Sequence, residues 1–171
     1  MSKKANVRYR EIQRPRTLLL WVPMLAVALL MWYAFIQQVF FGNKVGTNPA
    51  SDGTLIVLWV VFGIIFPVVF LGLLKLVTEV RDDGLYIRYV PFHIHYKVFL
   101  FSEITSYKPI TYSPLKRFGG WGIRFNLQNE IAYNMSGNSG MEIQFQQHTI
   151  VIGTRRPDEL KKAIDAAYQE K

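Results

Sequence analysis

Two histidines one residue apart, His93 and His95, are the pair whose types and spacing suggest chemistry first. In a strand they point to one face, and two imidazoles so placed can bind zinc or copper once a third ligand joins them. Tyr96, Glu103 and His148 supply that ligand only if the fold happens to bring one of them there, so a polar strand face is the plainer reading. The paired carboxylates have structural explanations. Asp82-Asp83 precedes Gly84 in a hairpin tip, and Asp158-Glu159 follows Pro157 at a helix start. There is no H-E-x-x-H, EF-hand or P-loop spacing and no G-x-S-x-G elbow. The absence of cysteine removes disulfides, thiol nucleophiles and thiolate metal sites together. The expectation is a protein that is not an enzyme, with no metal, cofactor or small-molecule substrate.

Lys116-Arg117-Phe118-Gly119-Gly120-Trp121-Gly122-Ile123-Arg124 is the richest stretch. Gly119-Gly120-Trp121-Gly122 lacks the strand–loop–helix context of a phosphate-binding fingerprint. It does combine three cations with two large aromatics on what reads as a loop entering a strand. Lys116, Arg117 and Arg124 can meet anionic phospholipid headgroups while Phe118 or Trp121 enters the interface. The same aromatics can anchor a protein partner. In the third reading Trp121 belongs to the core, and the glycines only let the chain turn.

The elements that must position these residues fall into two kinds. Half of the 171 residues are apolar, yet 19% are charged, and the two classes are segregated. Thr17 to Phe41 and Leu55 to Leu74 contain no charged side chain. At about 1.5 Å per residue each is long enough to cross a hydrocarbon core of about 30 Å. Trp21, Trp32, Tyr33 and Trp59 sit where amphipathic rings prefer an interface. The polar linker 42–54 makes the two an antiparallel hairpin. Pro67, one turn after Gly63, removes a helix hydrogen bond, so a kink is expected there. With no ionisable residue in either run, an ion pathway is not expected.

The net charge of +8 divides unevenly. Lys3, Lys4, Arg8, Arg10, Arg14 and Arg16 stand against Glu11 alone in residues 1–16. Beside a membrane span such a cluster reads as a lipid-surface leader rather than a nucleic-acid footprint. The positive-inside rule then places both termini in the cytoplasm of a multi-pass protein of the inner (plasma) membrane. The expected domains are a leader (1–16), a transmembrane hairpin (17–76) and a strand-rich domain (77–171).

In the last of these, period-two alternation recurs in short runs. It is visible at 77–89 around Asp83-Gly84, at 92–101, 104–110, 122–127, 130–135, 141–145 and 149–152. Gly137-Asn138-Ser139-Gly140 reads as a tight turn between two of them. Pro157 opens a helix whose buried face carries Leu160, Ile164 and Ala167. About seven antiparallel strands and one final helix fit a pleckstrin-homology-like barrel or sandwich, and hence an α+β membrane protein. The order of parts resembles small bacterial two-span membrane proteins with a PH-like cytoplasmic domain. EVRDDGLYIRY at 79–89, RFGGWGIR at 117–124 and IGTRRPDEL at 152–160 carry the resemblance. It implies a membrane-tethered binding or scaffolding module. The expected function is a non-catalytic accessory or assembly subunit of a larger membrane protein complex, and the alternative is a stand-alone lipid- or signal-sensing protein.

Overall fold

A computed structural model describes residues 6–15 and 18–169. The chain divides into two units, one made of residues 1–16 with 75–171 and the other of residues 17–74.

The hydrophobic unit is helical. Helix α1 (Leu18–Phe35) runs on through a π-helical turn, Ile36–Phe40. Helix α2 (Asp52–Leu58) begins at Ser51, whose hydroxyl accepts from Thr54 N–H as an N-cap. It continues through a π-helical stretch, Trp59–Ile65, a short α3 (Phe66–Val68) and a second π-helical stretch, Val69–Leu73. Among the described residues one helix, Trp21–Phe40, is long and apolar enough to cross a membrane, and the apolar helix Asp52–Val68 is shorter. Pro67 sits between the two π-helical stretches. Its missing N–H leaves the carbonyl of Gly63 without the usual helical donor, and the indole N–H of Trp32 donates to that oxygen at 3.2 Å. Gly63 is small for a reason, since a Cβ there would lie 3.0 Å from the ring of Trp59. That ring stacks on Phe35 with centroids 4.0 Å apart and meets Trp32 edge-on at 5.0 Å.

Among the described residues the other unit holds nine strands in two sheets with a C-terminal helix. Strands β1 (Val7–Gln13), β2 (Lys75–Arg81), β3 (Gly84–Val90) and β4 (Lys97–Leu100) form the first sheet in that order. Strand β1 is a correction. Residues 7–13 were expected in a free basic leader, but they pair antiparallel with β2, Gln13 opposite Leu76 and Arg10 opposite Glu79. Alternation explains why: Tyr9, Glu11 and Gln13 are buried while Arg8, Arg10 and Ile12 face outward. Lys3, Lys4 and Arg16 lie outside the described residues. The domain boundary moves with the strand, and the apolar helices become an insertion between β1 and β2.

Asp82-Asp83 forms the expected tip between β2 and β3. Gly84 is glycine because β4 comes close, and a Cβ there would collide with the carbonyl oxygen of Phe99. Residues 91–96 turn rather than extend, so the strand expected over 92–101 shrinks to β4.

The second sheet contains β5 (Ile104–Thr111), β6 (Gly122–Phe125), β7 (Glu130–Asn134), β8 (Ser139–Phe145) and β9 (Thr149–Gly153), in the order β5-β8-β9-β7-β6. The turn near 137–140 therefore does not join paired neighbours. It carries the chain across β9, which pairs antiparallel with β8 and parallel with β7. Among the described residues no strand joins the two sheets, so of the expected barrel or sandwich no barrel closes and the sheets remain two separate layers.

Their inner faces meet through Leu76, Val80, Leu85 and Ile87 on one side and Met141, Ile143, Ile150 and Ile152 on the other, all buried. Phe99 packs on Tyr133 and Phe145 across the gap. Helix α5 (Pro157–Gln169) buries Leu160, Ile164 and Ala167 and touches strands of both sheets. Covering three such side chains contributes several kcal/mol at about 25 cal/mol per Å² of apolar surface.

Candidate interaction surface

The stretch 116–124 divides between surface and interior. Helix α4 (Pro114–Phe118) starts at an N-cap, where the hydroxyl of Ser113 accepts from Lys116 N–H. It ends at Gly119 in the left-handed region (φ 72°), and Gly120 and Gly122 also have positive φ. These are conformations in which an L side chain is strained. Phe118 is buried against Ala132 and Val151, with Ile110 and Tyr112 beside it. It is not available to a lipid or partner. Lys116 is exposed. Trp121 is half-buried and its indole N–H donates to the carbonyl of Gly137 at 3.0 Å, while Arg124 Nε donates to the carbonyl of Trp121 at 3.1 Å. The ring thus braces the 135–138 turn and keeps one exposed side.

Arg117 turns back over the second sheet. Its Nε donates to Glu130 Oε2 at 2.8 Å and its Nη2 to Glu142 Oε2 at 2.6 Å, while Lys108 Nζ lies 3.1 Å from Glu142 Oε1. Hydrogen bonding to Glu130 is the chief reason the guanidinium is held above its ordinary range, burial acting against it. The Glu130 carboxyl is pushed below its usual range, first by Arg117. For Glu142, burial favours the neutral acid, but hydrogen bonds from Arg117 and Lys108 outweigh it and the net shift is downward. Nothing in the sequence places Glu130 and Glu142 with Arg117, because non-consecutive strand order brings them together.

The first sheet carries its own charged centre. Glu79 accepts from Arg81 Nη2 at 2.7 Å and from Tyr96 Oη at 2.9 Å, and Arg10 Nε lies 3.3 Å away. The Arg81 guanidinium also sits 4.0 Å above the ring of Tyr86. On the buried face of β1, Glu11 accepts from Tyr9 Oη at 2.9 Å, Thr154 Oγ1 at 2.6 Å and Arg155 N–H at 3.0 Å. Burial first, and then the neighbouring Glu11 charge, push the Tyr9 phenol up to about 12. A carboxylate in the supposed leader is therefore the clasp between β1 and the approach to α5.

His93 and His95 lie in the turn 91–96 and not on a strand face. His93 Nδ1 accepts from Tyr89 N–H at 3.2 Å. Burial first, and then Lys97, hold that imidazole below its usual range. His148 stacks on Phe145 beside an open cleft of about 620 Å³ lined by residues 102–105 and 145–148. Among the described residues no three His, Asp or Glu side chains converge as metal ligands.

Fold and surface together define an α+β chain with an apolar helical insertion and no cysteine. It belongs to a family of unknown function (DUF6141), whose model matches residues 2–170. No curated protein and no solved structure matches it.

Proposed function

We propose that this chain is a non-catalytic membrane-anchored module, with residues 17–74 as a two-crossing hairpin and the sheet unit on one side of the bilayer. The observation that carries the reading is the pairing of Gln13 with Leu76. A segment that leaves a sheet at one residue and returns at its register neighbour crosses a membrane an even number of times or not at all. With Trp21–Phe40 long and apolar enough to cross, the second apolar helix is the return. Retention of basic flanks puts the sheet unit and both termini in the cytoplasm. The two layers and closing helix support a PH-like sandwich, from which the parallel β7–β9 pair departs.

The engagement of Arg117, Glu130 and Glu142 with one another favours a structural role for the best-looking cluster over a reactive one. Phe125 and Leu127, 70% and 101% exposed, favour a protein partner, and an accessory or assembly role in a larger membrane complex accommodates them. The alternative is a lipid- or signal-sensing protein acting alone. Topology is tested by single cysteines at Ser51 and Ser139 in whole cells. Labelling of Ser51 only, by an impermeant reagent, is expected, and labelling at Ser139 overturns the orientation. Mild solubilisation with native electrophoresis separates a subunit, which co-migrates with a large complex, from a solitary protein near 20 kDa plus micelle.

A further inference from the structure

One end of the sheet unit exposes no acidic side chain, since Glu11 and Glu79, which reach its segments, are buried. Register fixes which segments lie there. Gln13 and Leu76 are partners, Leu76 also pairs with Tyr89, and the turn 91–96 follows β3 at that same end. Tyr89 Oη reaches the carbonyl of Asn134, Asn134 pairs with Gly122, and Arg155 reaches both Ser136 and Arg14. Segments 12–15, 75–77, 88–97, 119–124, 134–138 and 152–156 contain no Asp or Glu of their own and carry Lys75, Arg88, Lys97, Arg124 and Arg156 besides the two arginines just named, while the buried Glu11 and Glu79 reach them from the flanking strands through Thr154, Arg155 and Tyr96. The opposite end holds Asp82, Asp83 and Glu130. Two large apolar side chains project from this end, Phe92 at 68% and Ile94 at 76% exposure. The chain also departs for, and returns from, its apolar insertion here.

We propose that this end is a lipid-contact surface. Lys75, Lys97 and Arg124 meet anionic phospholipid headgroups while Phe92 and Ile94 enter the interface between headgroup and acyl chain. The proposal deepens the membrane-anchored reading and rests on it. Charge and connectivity select the occupant. A cationic rim around two protruding hydrophobes matches an anionic bilayer, and the tether holds this end within a few residues of the apolar helices, so the contact is made at high effective concentration. Trp121, half-buried with its N–H satisfied, joins at the rim. This gives the sequence's aromatic–cationic pattern a lipid role centred on the 91–96 turn, with Phe118 and Arg117 excluded.

The test uses the full cysteine-free chain in vesicles of equal phosphatidylglycerol and phosphatidylcholine with brominated acyl chains. An environment-sensitive dye is attached to Ile94→Cys, to Leu127→Cys, or to Val61→Cys within the insertion. Bromine quenching is expected at Val61 and Ile94 and not at Leu127. Each cation removed, in Lys97→Gln or Arg124→Gln, should weaken the Ile94 contact about fivefold. Quenching at Val61 with none at Ile94 overturns the surface and leaves the anchor standing, whereas none at Val61 removes both. Undiminished quenching at Ile94 in pure phosphatidylcholine overturns the anionic requirement. Protection of the Ile94 dye from aqueous iodide in native membranes, together with no bromine quenching in the brominated vesicles, reassigns the loop to a protein contact and overturns the proposal.

Discussion

The outer faces of the two sheets solve opposite electrostatic problems. On the first, one carboxylate, Glu79, is shared by Arg81 and Arg10. On the second, one guanidinium, Arg117, is shared by Glu130 and Glu142. The difference lies in which partner can leave. Arg10 is 56% exposed and can swing into water when its carboxylate is lost. The side chains of Glu130 and Glu142 are 16% and 10% exposed and are fixed on strands, so without Arg117 two negative charges stay together at a poorly solvated surface, with Lys108 beside Glu142 as the remaining cation. A shared cation between strand-held acids is therefore worth more than a shared acid with one cation, Arg10, free to move into water.

The comparison breaks most completely if β1 is removed. Deletion of residues 1–14 takes Arg10 from Glu79, Glu11 from Thr154 and the cover from Leu76 and Val80. The loss is expected to exceed a domain's whole stability of about 5–15 kcal/mol. Near-UV circular dichroism of the detergent-solubilised chain should show no cooperative melting. A retained sharp transition would mean that β2 to β4 suffice.

Arg117→Met should cost about 2–4 kcal/mol, between the values for exposed and buried pairs, read as a lowered melting temperature. Adding Glu130→Gln and Glu142→Gln should restore part of it, and no restoration would refute the account of stranded acids. Glu79→Gln should cost less, about 1–2 kcal/mol. If it proves the more damaging, the ranking of the two centres is reversed.

The acid limb sharpens the same contrast. Both Glu130 and Glu142 have folded-state pKa values below their unfolded ones. Their contribution is therefore present above the unfolded value of about 4.3 and is lost as pH falls through the folded values. Melting temperature should drop below about pH 4 in the native chain and drop less steeply in Arg117→Met. Parallel curves would show that other carboxylates dominate. The smallest effect is expected at Lys161→Ala. This lysine makes an i,i+4 pair with Asp165, worth about 0.3–0.5 kcal/mol, and a shift of several degrees would point to a larger role for the Tyr107–Asp165 hydrogen bond.

Local signals were readable where one element decides the outcome. Asp83-Gly84 marks a hairpin because glycine can sit under Phe99, and Pro157 with Leu160, Ile164 and Ala167 marks a helix because spacing alone selects its buried face. The carbonyl of Gly63 was legible as an unmatched acceptor, though not the indole of Trp32 that fills it. Strand β1 was obscured by composition. Six cations in sixteen residues resemble a leader, and the alternation of Tyr9, Glu11 and Gln13 is polar on the buried side, contrary to the usual pattern. The Arg117 cluster was invisible for another reason. It depends on β9 entering between β7 and β8, and local periodicity does not encode strand order.

The pairing of Gln13 with Leu76 also sets a timetable. Strand β1 is made early, but its partner follows only after the whole apolar insertion. At about 5–20 residues per second the wait is several seconds. During it the backbone edge of Val7–Gln13 and the carboxylate of Glu11 have no strand or threonine to meet. The sheet can close only when both helical segments have emerged and their ends lie together. On the two-crossing reading proposed above, completion of the first sheet would register that the apolar segment has been delivered with its two ends on the same side, and a chain whose second helix failed to return would be left with β1 and β2 unable to pair.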